Sequence, residues 1–451
     1  MKKVMNLGLI FIALISFNVD ASRISYERSL ELLLKNINPE GTPAGTVVAS
    51  PSKSSPDYFY HWVRDAALVM STIYEAMVRE TDAVKKARLE GLMFDYVEKV
   101  KTHQMASGFW SLGEPKYYVS GAPYLEPWGR PQHDGPALRA VTLIKFANYL
   151  IEKGDEKWVL DNLYTPALPA LSPIKMDLEY VAIHYGSQGF DYWEEVTGLH
   201  FSTAMAMRKA LDSGSKLARR LGDHGAAEYY LDKSVEVSRL VERFWNKDKG
   251  YIESTIDQSA GFYKSQIDIA VILGVHHGDN NDGFFAVDDW RVMQTAHRIE
   301  ESFKNIYSIN SRNLGPTLGT AIGRYPEDTY DGYRTDREGN PWFLATFAMA
   351  EYYLRLAKKV ENSPRFHAGN YCYYLKLDGC KNLTLASNET LIEQLVFELK
   401  LKADSFLKRA EFHSGKEGRM DEQMSRYNGF MMGAPDLTWS YASHIQALIW
   451  K

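Results

Sequence analysis

The sequence predicts an all-helical protein in which about twelve helices form two concentric rings of six. Apolar residues recur at helical spacing through most of the 451 residues. Alternating, strand-like patterns are nearly absent, and long loops rich in Gly, Trp and Tyr precede every second helix. Helix hairpins joined in this way bring alternate junctions to one end of the molecule, so these loops should share one surface.

The helical spacing is clearest in two segments. In the first, the apolar positions are Val63, Ala66, Met70, Ile73 and Met77. In the second, they are Leu138, Val141, Ile144, Ala147 and Ile151. Helix starts are marked by Pro136, Pro341 and Pro435, because a first turn tolerates a missing N–H. The predicted helices span residues 24–36, 60–78, 85–105, 135–152, 173–185, 200–222, 224–246, 262–274, 288–311, 341–359, 389–410 and 435–450.

Six long loops precede alternate helices. They span residues 37–59, 106–134, 186–199, 247–261, 312–340 and 411–434. The connection 360–388 departs from this alternation and is interpreted as a decorated hairpin. No Pro/Ser/Thr-rich linker and no strand-rich terminal segment is evident, so residues 22–451 are predicted to form a single domain with no further domain appended.

The N-terminus is typical of a secretory signal. A basic start is followed by an apolar run over residues 4–17 and a small residue at Ala21, which predicts a signal peptide over residues 1–21. The run is too short to span a bilayer comfortably, and an uncleaved membrane anchor is the alternative. We therefore expect secretion, to the extracellular space or a periplasm, without a stable anchor.

The charge of the chain limits the classes of partner that it is expected to bind. The formal net charge is -5 without a basic cluster, so no nucleic acid is expected as a partner.

In an exported protein the two cysteines, Cys372 and Cys380, are expected to form one local disulfide. Sequons follow at Asn382 and Asn388 and matter only in a eukaryotic secretory pathway. The protein is expected to be a monomer.

Several reaction classes lack their usual sequence frames. The glycine-containing segment 315–323 has no phosphate-loop lysine, and no Gly-x-Ser-x-Gly elbow accompanies a strand-to-helix turn. His276 and His277 lie close to Asp279 and Asp282, but their spacing fits neither a calcium loop nor a zinc motif. We interpret that segment as a solvated turn and predict no metal and no cofactor.

The long loops instead hold carboxylates beside aromatic residues and arginine, in segments 58–65, 128–134, 191–195, 324–328 and 421–423. Sugar hydroxyls are held by charged hydrogen bonds from Asp and Arg, and the apolar face of a pyranose lies on an aromatic ring. Splitting a glycosidic bond needs one carboxylic acid to protonate the leaving oxygen and one carboxylate on the opposite face. We expect the two carboxyl groups to come from separate loops.

Six motifs occur in a fixed order along the chain. They span residues 56–65, 126–139, 191–196, 323–328, 340–343 and 436–441. Together they resemble the motifs of glycoside hydrolase family 15, the glucoamylases, and the resemblance extends from about residue 30 to the C-terminus. It implies an (α/α)6 barrel with a pocket at the loop end of the inner helices, which agrees with the alternating loops.

The resemblance also implies roles for individual residues. Glu194 matches the general acid of the family, Glu422 its general base, and Glu195 a substrate-binding neighbour of the acid. The residues matched to the grip on the terminal glucose are Arg64, Asp65 and Arg324. The other substrate-binding, pocket-lining or supporting positions are Tyr58, Trp62, Trp128, Arg130, Trp193, Asp328 and Trp342.

The implied activity is that of an inverting glucan 1,4-α-glucosidase, which releases β-D-glucose from the non-reducing ends of starch, glycogen and malto-oligosaccharides. Glu194 is expected to be protonated near neutrality and Glu422 to be ionised. His61, His133 and the pair 424–425 depart from the usual residues of the family and leave the fine specificity open. The alternatives are an exo-hydrolase of other α-glucosides, such as isomalto-oligosaccharides or dextran, and a non-catalytic sugar-binding protein.

Overall fold

The computed structural model of the protein describes residues 24–106, 108–311, 318–362, 368–376 and 388–451. The predicted signal peptide, Cys380 and Asn382 lie outside these residues. Signal cleavage and the disulfide between Cys372 and Cys380 therefore stay predictions.

Fifteen helices occur in the described residues, and twelve of them form two rings. The inner ring consists of α2 (Val63–Arg79), α4 (Asp134–Glu152), α7 (Phe201–Arg220), α9 (Ala270–Gly278), α12 (Phe343–Glu361) and α15 (Thr438–Ile449). The outer ring consists of α1 (Tyr26–Leu34), α3 (Ala83–Gln104), α6 (Pro173–His184), α8 (His224–Glu242), α10 (Trp290–Phe303) and α14 (Asn388–His413). Short helices in the connections are α5 (Glu156–Asn162), α11 (Ser308–Ser311) and α13 (Ala368–Leu375).

Helix contacts close the inner ring. Helix α2 packs on α4, α4 on α7, α7 on α9, α9 on α12, α12 on α15, and α15 back on α2. Each outer helix packs against the inner one beside it, for example α3 against α2 and α14 against α12. The predicted (α/α)6 barrel is confirmed.

The two rings differ in burial because only the inner helices are enclosed on both sides. Helix α12 buries most of its residues, whereas α3 buries a stripe that includes Leu89, Met93, Val97 and Val100. A stripe at spacings of three and four is typical of a helix with one face on the core. The apolar periodicity of the sequence therefore predicted both rings.

Nine short strands hold the loops together within the described part of the chain. They are β1 (Tyr60–Trp62), β2 (Lys116–Tyr118), β3 (Gly189–Phe190), β4 (Thr197–His200), β5 (Trp245–Asn246), β6 (Tyr251–Ile252), β7 (Thr255–Ala260), β8 (Gln423–Met424) and β9 (Met431–Met432). They form antiparallel ladders in the orders β1-β2, β3-β4-β7, β5-β6 and β8-β9. The first ladder sets Trp62 opposite Lys116, and the last sets Gln423 opposite Met432.

Three predictions need correction. The predicted helix 262–274 begins only at Ala270, and the predicted helix 60–78 begins at Val63 because residues 60–62 pair as β1. His276 and His277 do not lie in a solvated turn. They occupy the last turn of the inner helix α9, where His276 is 5% exposed.

No described helix is long and apolar enough to cross a membrane.

Candidate active site

A cavity with a volume of about 300 Å³ opens at the end of the barrel where the inner helices begin. Five of the six long loops contribute to its wall, together with the first turns of α2 and α15. The lining residues are Ala49, Tyr58, Trp62, Arg64, Asp65, Trp128, Gly129, Tyr192, Trp193, Glu194, Glu195, Arg324, Tyr330, Thr335, Trp342, Glu422, Leu437 and Trp439.

All predicted site residues except Arg130 and Asp328 line this cavity. Arg130 lies behind the wall, where its side chain donates to the carboxylate of Glu114 at 2.9 Å and to two backbone carbonyls. It thereby holds the loop that carries Trp128. Asp328 accepts hydrogen bonds from the guanidinium of Arg324 and fixes the orientation of that group.

Glu194 lies on a turn that Asp191 organises. Its φ angle of 64° is in the left-handed region, which costs a residue with a side chain roughly 1–2 kcal/mol. The turn is held because the carboxylate of Asp191 accepts the backbone N–H groups of Glu195 and Val196 at 2.7 and 3.1 Å and the ammonium of Lys264 at 2.9 Å. This network directs the Glu194 side chain into the cavity.

Four N–H donors surround the carboxyl group of Glu194. The indole of Trp62 and the amide of Gln132 each donate to Oε1 at 2.9 Å, and Arg64 approaches the same oxygen at 3.3 Å. The indole of Trp128 donates to Oε2 at 2.7 Å. The carboxyl group therefore ties two loops and the first turn of α2 together.

Glu422 lies in different surroundings and is 1% exposed. The backbone N–H of Ala434 and the hydroxyl of Tyr330 each approach its Oε2 at 3.4 Å, while Oε1 has no hydrogen-bond partner among the described residues. Burial raises the pKa of Glu422 to about 8, and the N–H of Ala434, the charge of Arg324 and the hydroxyls of Tyr58 and Tyr330 act in the opposite direction. Burial therefore opposes the predicted ionisation of Glu422, which stays a prediction.

Two features beside Glu422 were missed by the sequence reasoning. The hydroxyls of Tyr58 and Tyr330 lie 2.8 Å apart and link two separate loops. Gly433 has a φ angle of 74°, and a Cβ atom there would lie 2.2 Å from Oε2 of Glu422. Only glycine leaves room for the carboxyl group, so this position is part of the site.

Two arginines hold the carboxylates of the cavity wall. Arg64 donates to Asp134 at 2.9 Å and lies 3.7 Å from Asp65. Burial raises the pKa of Asp65 to about 6, and the adjacent Arg64 opposes this shift. Arg324 donates to Glu195 at 2.8 Å.

Glu195 is held from three sides. In addition to Arg324, it accepts a hydrogen bond from the hydroxyl of Tyr325 and lies 3.3 Å from the ammonium of Lys264. Lys264 also binds Asp191, so the supports of Glu195 and of the Glu194 turn are continuous. The late start of α9 is explained by this contact, because residues before Ala270 serve the site.

Lys116 is another residue that the motifs did not reveal. Its ammonium lies 3.3 Å from the ring centroid of Trp128 and 4.4 Å from that of Trp62. Burial lowers its pKa to about 8, and Glu194 acts in the opposite direction. The register between β1 and β2 brings Lys116 here, and its place in the second long loop was the only signal of this position in the sequence.

The departures from the family pattern lie outside the cavity wall. His61 is buried and accepts the backbone N–H of Val47 at 3.2 Å, and His133 contacts the hydroxyl of Tyr180 at 2.8 Å. Met424 and Ser425 are buried beside β9. The described residues include no group of three or more His, Cys, Asp or Glu that could hold a metal ion.

Comparisons with known proteins identify the family of the chain. The family described as glycosyl hydrolases family 15 matches residues 27–449. The glucoamylase of Blastobotrys adeninivorans is 36% identical over 427 residues, covering 92% of this chain and 68% of that protein. Glucoamylase 1 of Rhizopus oryzae is 37% identical over 424 residues, with coverages of 92% and 68%. The solved glucoamylase of Saccharomycopsis fibuligera has a TM-score of 0.84 at 29% identity and covers 96% of this chain and 97% of its own. The chain therefore belongs to family 15 of the glycosyl hydrolases.

Proposed function

We propose that this protein is an exo-acting glucoamylase that releases β-D-glucose from the non-reducing ends of starch-like α-glucans. The observation that carries the proposal is the meeting of Glu194 and Glu422, from separate loops, in one cavity lined by indole rings and guanidinium groups. The relatives named above are glucoamylases. Sugar rings need such aromatic surfaces, and glycosidic cleavage needs two carboxyl groups.

In the proposed reaction Glu194 is the general acid and Glu422 the general base. The oxygen of a water molecule bonds to the anomeric carbon while the bond to the glycosidic oxygen breaks. Glu194 gives its proton to the departing oxygen, and Glu422 takes a proton from the water through Oε1. The side chain of Glu194 is 14% exposed and Glu422 is 1% exposed, so the departing chain would leave on the solvent side.

Arg64, Asp65 and Arg324 supply the charged hydrogen bonds for the terminal glucose in this proposal. Trp439 belongs to the wall of this cavity and to that of a second cavity further along the barrel, and in this proposal its ring closes the pocket behind the terminal glucose. A closed pocket admits only a chain end. Early digestion of amylose should therefore yield glucose with little fall in polymer length, whereas rapid loss of iodine colour would mean an open cleft.

Stereochemistry tests the mechanism. Direct attack by water inverts the anomeric centre, so proton NMR within minutes of mixing should detect β-glucose first. If α-glucose appeared first, a covalent intermediate would be required and the roles of both glutamates would be withdrawn. The absence of glucose release from soluble starch would favour a sugar-binding protein. Faster glucose release from isomalto-oligosaccharides than from maltose would favour an exo-hydrolase of other α-glucosides.

The proposal includes a secreted, monomeric chain with one catalytic domain over residues 22–451. Secretion is supported by the basic start and the apolar run within residues 1–21. N-terminal sequencing of the protein recovered from culture medium should begin at Ser22. A cell-bound protein that retains Met1 would contradict this part of the proposal.

A further inference from the structure

A second cavity lies at the opposite end of the barrel, where most of the inner helices approach their C-terminal ends. Its volume is about 120 Å³, and all six inner helices contribute to its wall. Trp439 lines both cavities. Neither Glu194 nor Glu422 lines the second one, so the proposed reaction does not account for it.

The polar groups of this cavity carry more positive than negative charge. Four basic side chains line it, and the acidic residues of its wall are Glu75 and Glu351. Asp279, which does not line the cavity, lies 3.9 Å from Arg355. The basic residues are Arg79, Lys145, Lys209 and Arg355. Glu75 accepts hydrogen bonds from Arg79 and Lys145, and Glu351 lies 2.9 Å from Arg355. Both acids are thus already paired.

Lys209 has no hydrogen bond or ion pair with any described residue. Burial lowers its pKa to about 7, and the charges of Lys145 and Arg355 act in the same direction, while Asp279 and Glu75 oppose them. The Nδ1 atoms of the neighbouring His276 and His277 also lack hydrogen-bond partners in the described part of the chain. Unpaired polar groups in a protein interior cost free energy, so this end of the barrel is suited to a bound group.

We propose that this second cavity binds a compact oxyanion between Lys209, Lys145 and Arg355. An oxyanion offers several acceptor oxygens at once, which matches an unpaired ammonium beside a further lysine and a guanidinium. Its negative charge would offset the excess positive charge that the two glutamates leave. The site stands apart from the proposed function, because it shares only the ring of Trp439 with the active-site cavity.

The first test measures thermal unfolding in sulfate at constant ionic strength without any substrate. Wild type should gain stability steeply at low sulfate and then with the logarithm of the sulfate concentration, as expected for a ligand that binds only the folded state. Lys209→Met should lose that steep gain at low sulfate. The matched control is Lys216→Met on the same helix, since Lys216 is 71% exposed and pairs with Asp212. It removes the same charge and should respond like wild type.

Sulfate also stabilises proteins non-specifically, but that effect is small at low concentration and would be equal in all three proteins. An equal gain in Lys209→Met, or no gain at low sulfate in wild type, would overturn the proposal. Because no substrate is present, either result would leave the proposed glucoamylase activity untouched.

A second measurement needs no variant. Acetic anhydride acetylates neutral amines, and mass spectrometry of digested protein can follow Lys209 and Lys216 separately. Sulfate should slow acetylation of Lys209 at least several-fold and leave that of Lys216 unchanged. An unchanged rate at Lys209 in sulfate would contradict an anion bound beside its amine.

Discussion

The two carboxyl groups of the active-site cavity stand in opposite surroundings. Glu194 accepts from four N–H donors, whereas Glu422 is buried and is approached by a tyrosine hydroxyl and one backbone N–H. Only a carboxylate uses four donors fully, and that is the form of an acid after it gives up its proton. Burial favours the neutral form, which a base reaches after taking a proton. Each environment therefore favours the protonation state that the side chain has after proton transfer. This difference in surroundings distinguishes two chemically identical side chains.

The largest expected effect comes from removing either carboxyl group. Glu194→Gln and Glu422→Gln should each lower turnover of maltose roughly 10²–10⁴-fold, the usual contribution of a general acid or base. Maltose binding should stay largely intact. The measurements are initial rates of glucose release and calorimetric titration with maltose.

A substrate with a different leaving group separates the two roles. Fluoride needs no proton to depart, so Glu194→Gln should lose much less activity on α-glucosyl fluoride than on maltose. Glu422→Gln should lose activity on both, because water must still be activated. Equal losses of activity on both substrates in Glu194→Gln would show that the different surroundings of the two glutamates do not give them different roles.

The space around Glu422 gives the next effect. A Cβ atom at Gly433 would lie 2.2 Å from Oε2 of Glu422, so Gly433→Ala must displace the carboxyl group. A displacement on the order of 1 Å costs about 10²-fold in rate, and we expect that loss in kcat. Gly41→Ala is the control, since Gly41 has a φ angle of 79° and no atom within 4 Å of the added Cβ. Similar kcat losses in both variants would mean that backbone strain, not displacement of Glu422, is the cause.

The sequence predicted the barrel and most of the wall, because both depend on local patterns. Helical periodicity is local, and Trp62, Glu194 and Glu422 lie within contiguous motifs. Lys116 and Tyr330 were missed because their places depend on contacts between segments far apart in the chain. Lys116 reaches the tryptophans through the register of β1 with β2, and Tyr330 meets Tyr58 across two loops.

The same limit explains the errors at α9. The apolar pattern of residues 262–274 is compatible with a helix, but Lys264 binds Asp191 and Glu195, and this tertiary contact keeps residues 262–269 in an irregular loop. His276 and His277 appear solvated in the sequence because polar residues follow them. The ring closure of six inner helices buries His276 and partly buries His277, and no local pattern encodes that closure.

A smaller effect is expected at Glu195, which Arg324, Tyr325 and Lys264 hold. Glu195→Gln keeps the size of the side chain but weakens the charged contact that orients Arg324. Because a hydrogen bond to a charged group contributes about 1.5–3 kcal/mol, KM for maltose should rise roughly 10-fold or more while kcat changes less. Steady-state kinetics give both values. A fall in kcat without a rise in KM would place Glu195 with the reacting groups instead.

The smallest effect concerns pH and probes the surroundings of Glu422 directly. The hydroxyl of Tyr330 stabilises the ionised carboxylate and so lowers its pKa, against the upward shift caused by burial. Tyr330→Phe removes that hydroxyl, so the pKa of Glu422 should rise. Since the base must be ionised to accept a proton, the acid limb of the kcat/KM profile should move to higher pH. We expect a displacement of up to about one pH unit, because the contact is long and its contribution falls at the lower end for hydrogen bonds to charged groups.

The control for this displacement is Tyr333→Phe, because Tyr333 lies in the same loop and is 51% exposed. Its profile should coincide with that of wild type at every pH. Well above the limb, where Glu422 is ionised in all three proteins, Tyr330→Phe should approach the wild-type rate, which distinguishes a shifted pKa from a damaged pocket. An acid limb that stays in place or moves to lower pH would show that the tyrosine does not stabilise ionised Glu422. Burial alone would then distinguish the surroundings of Glu422 from those of Glu194.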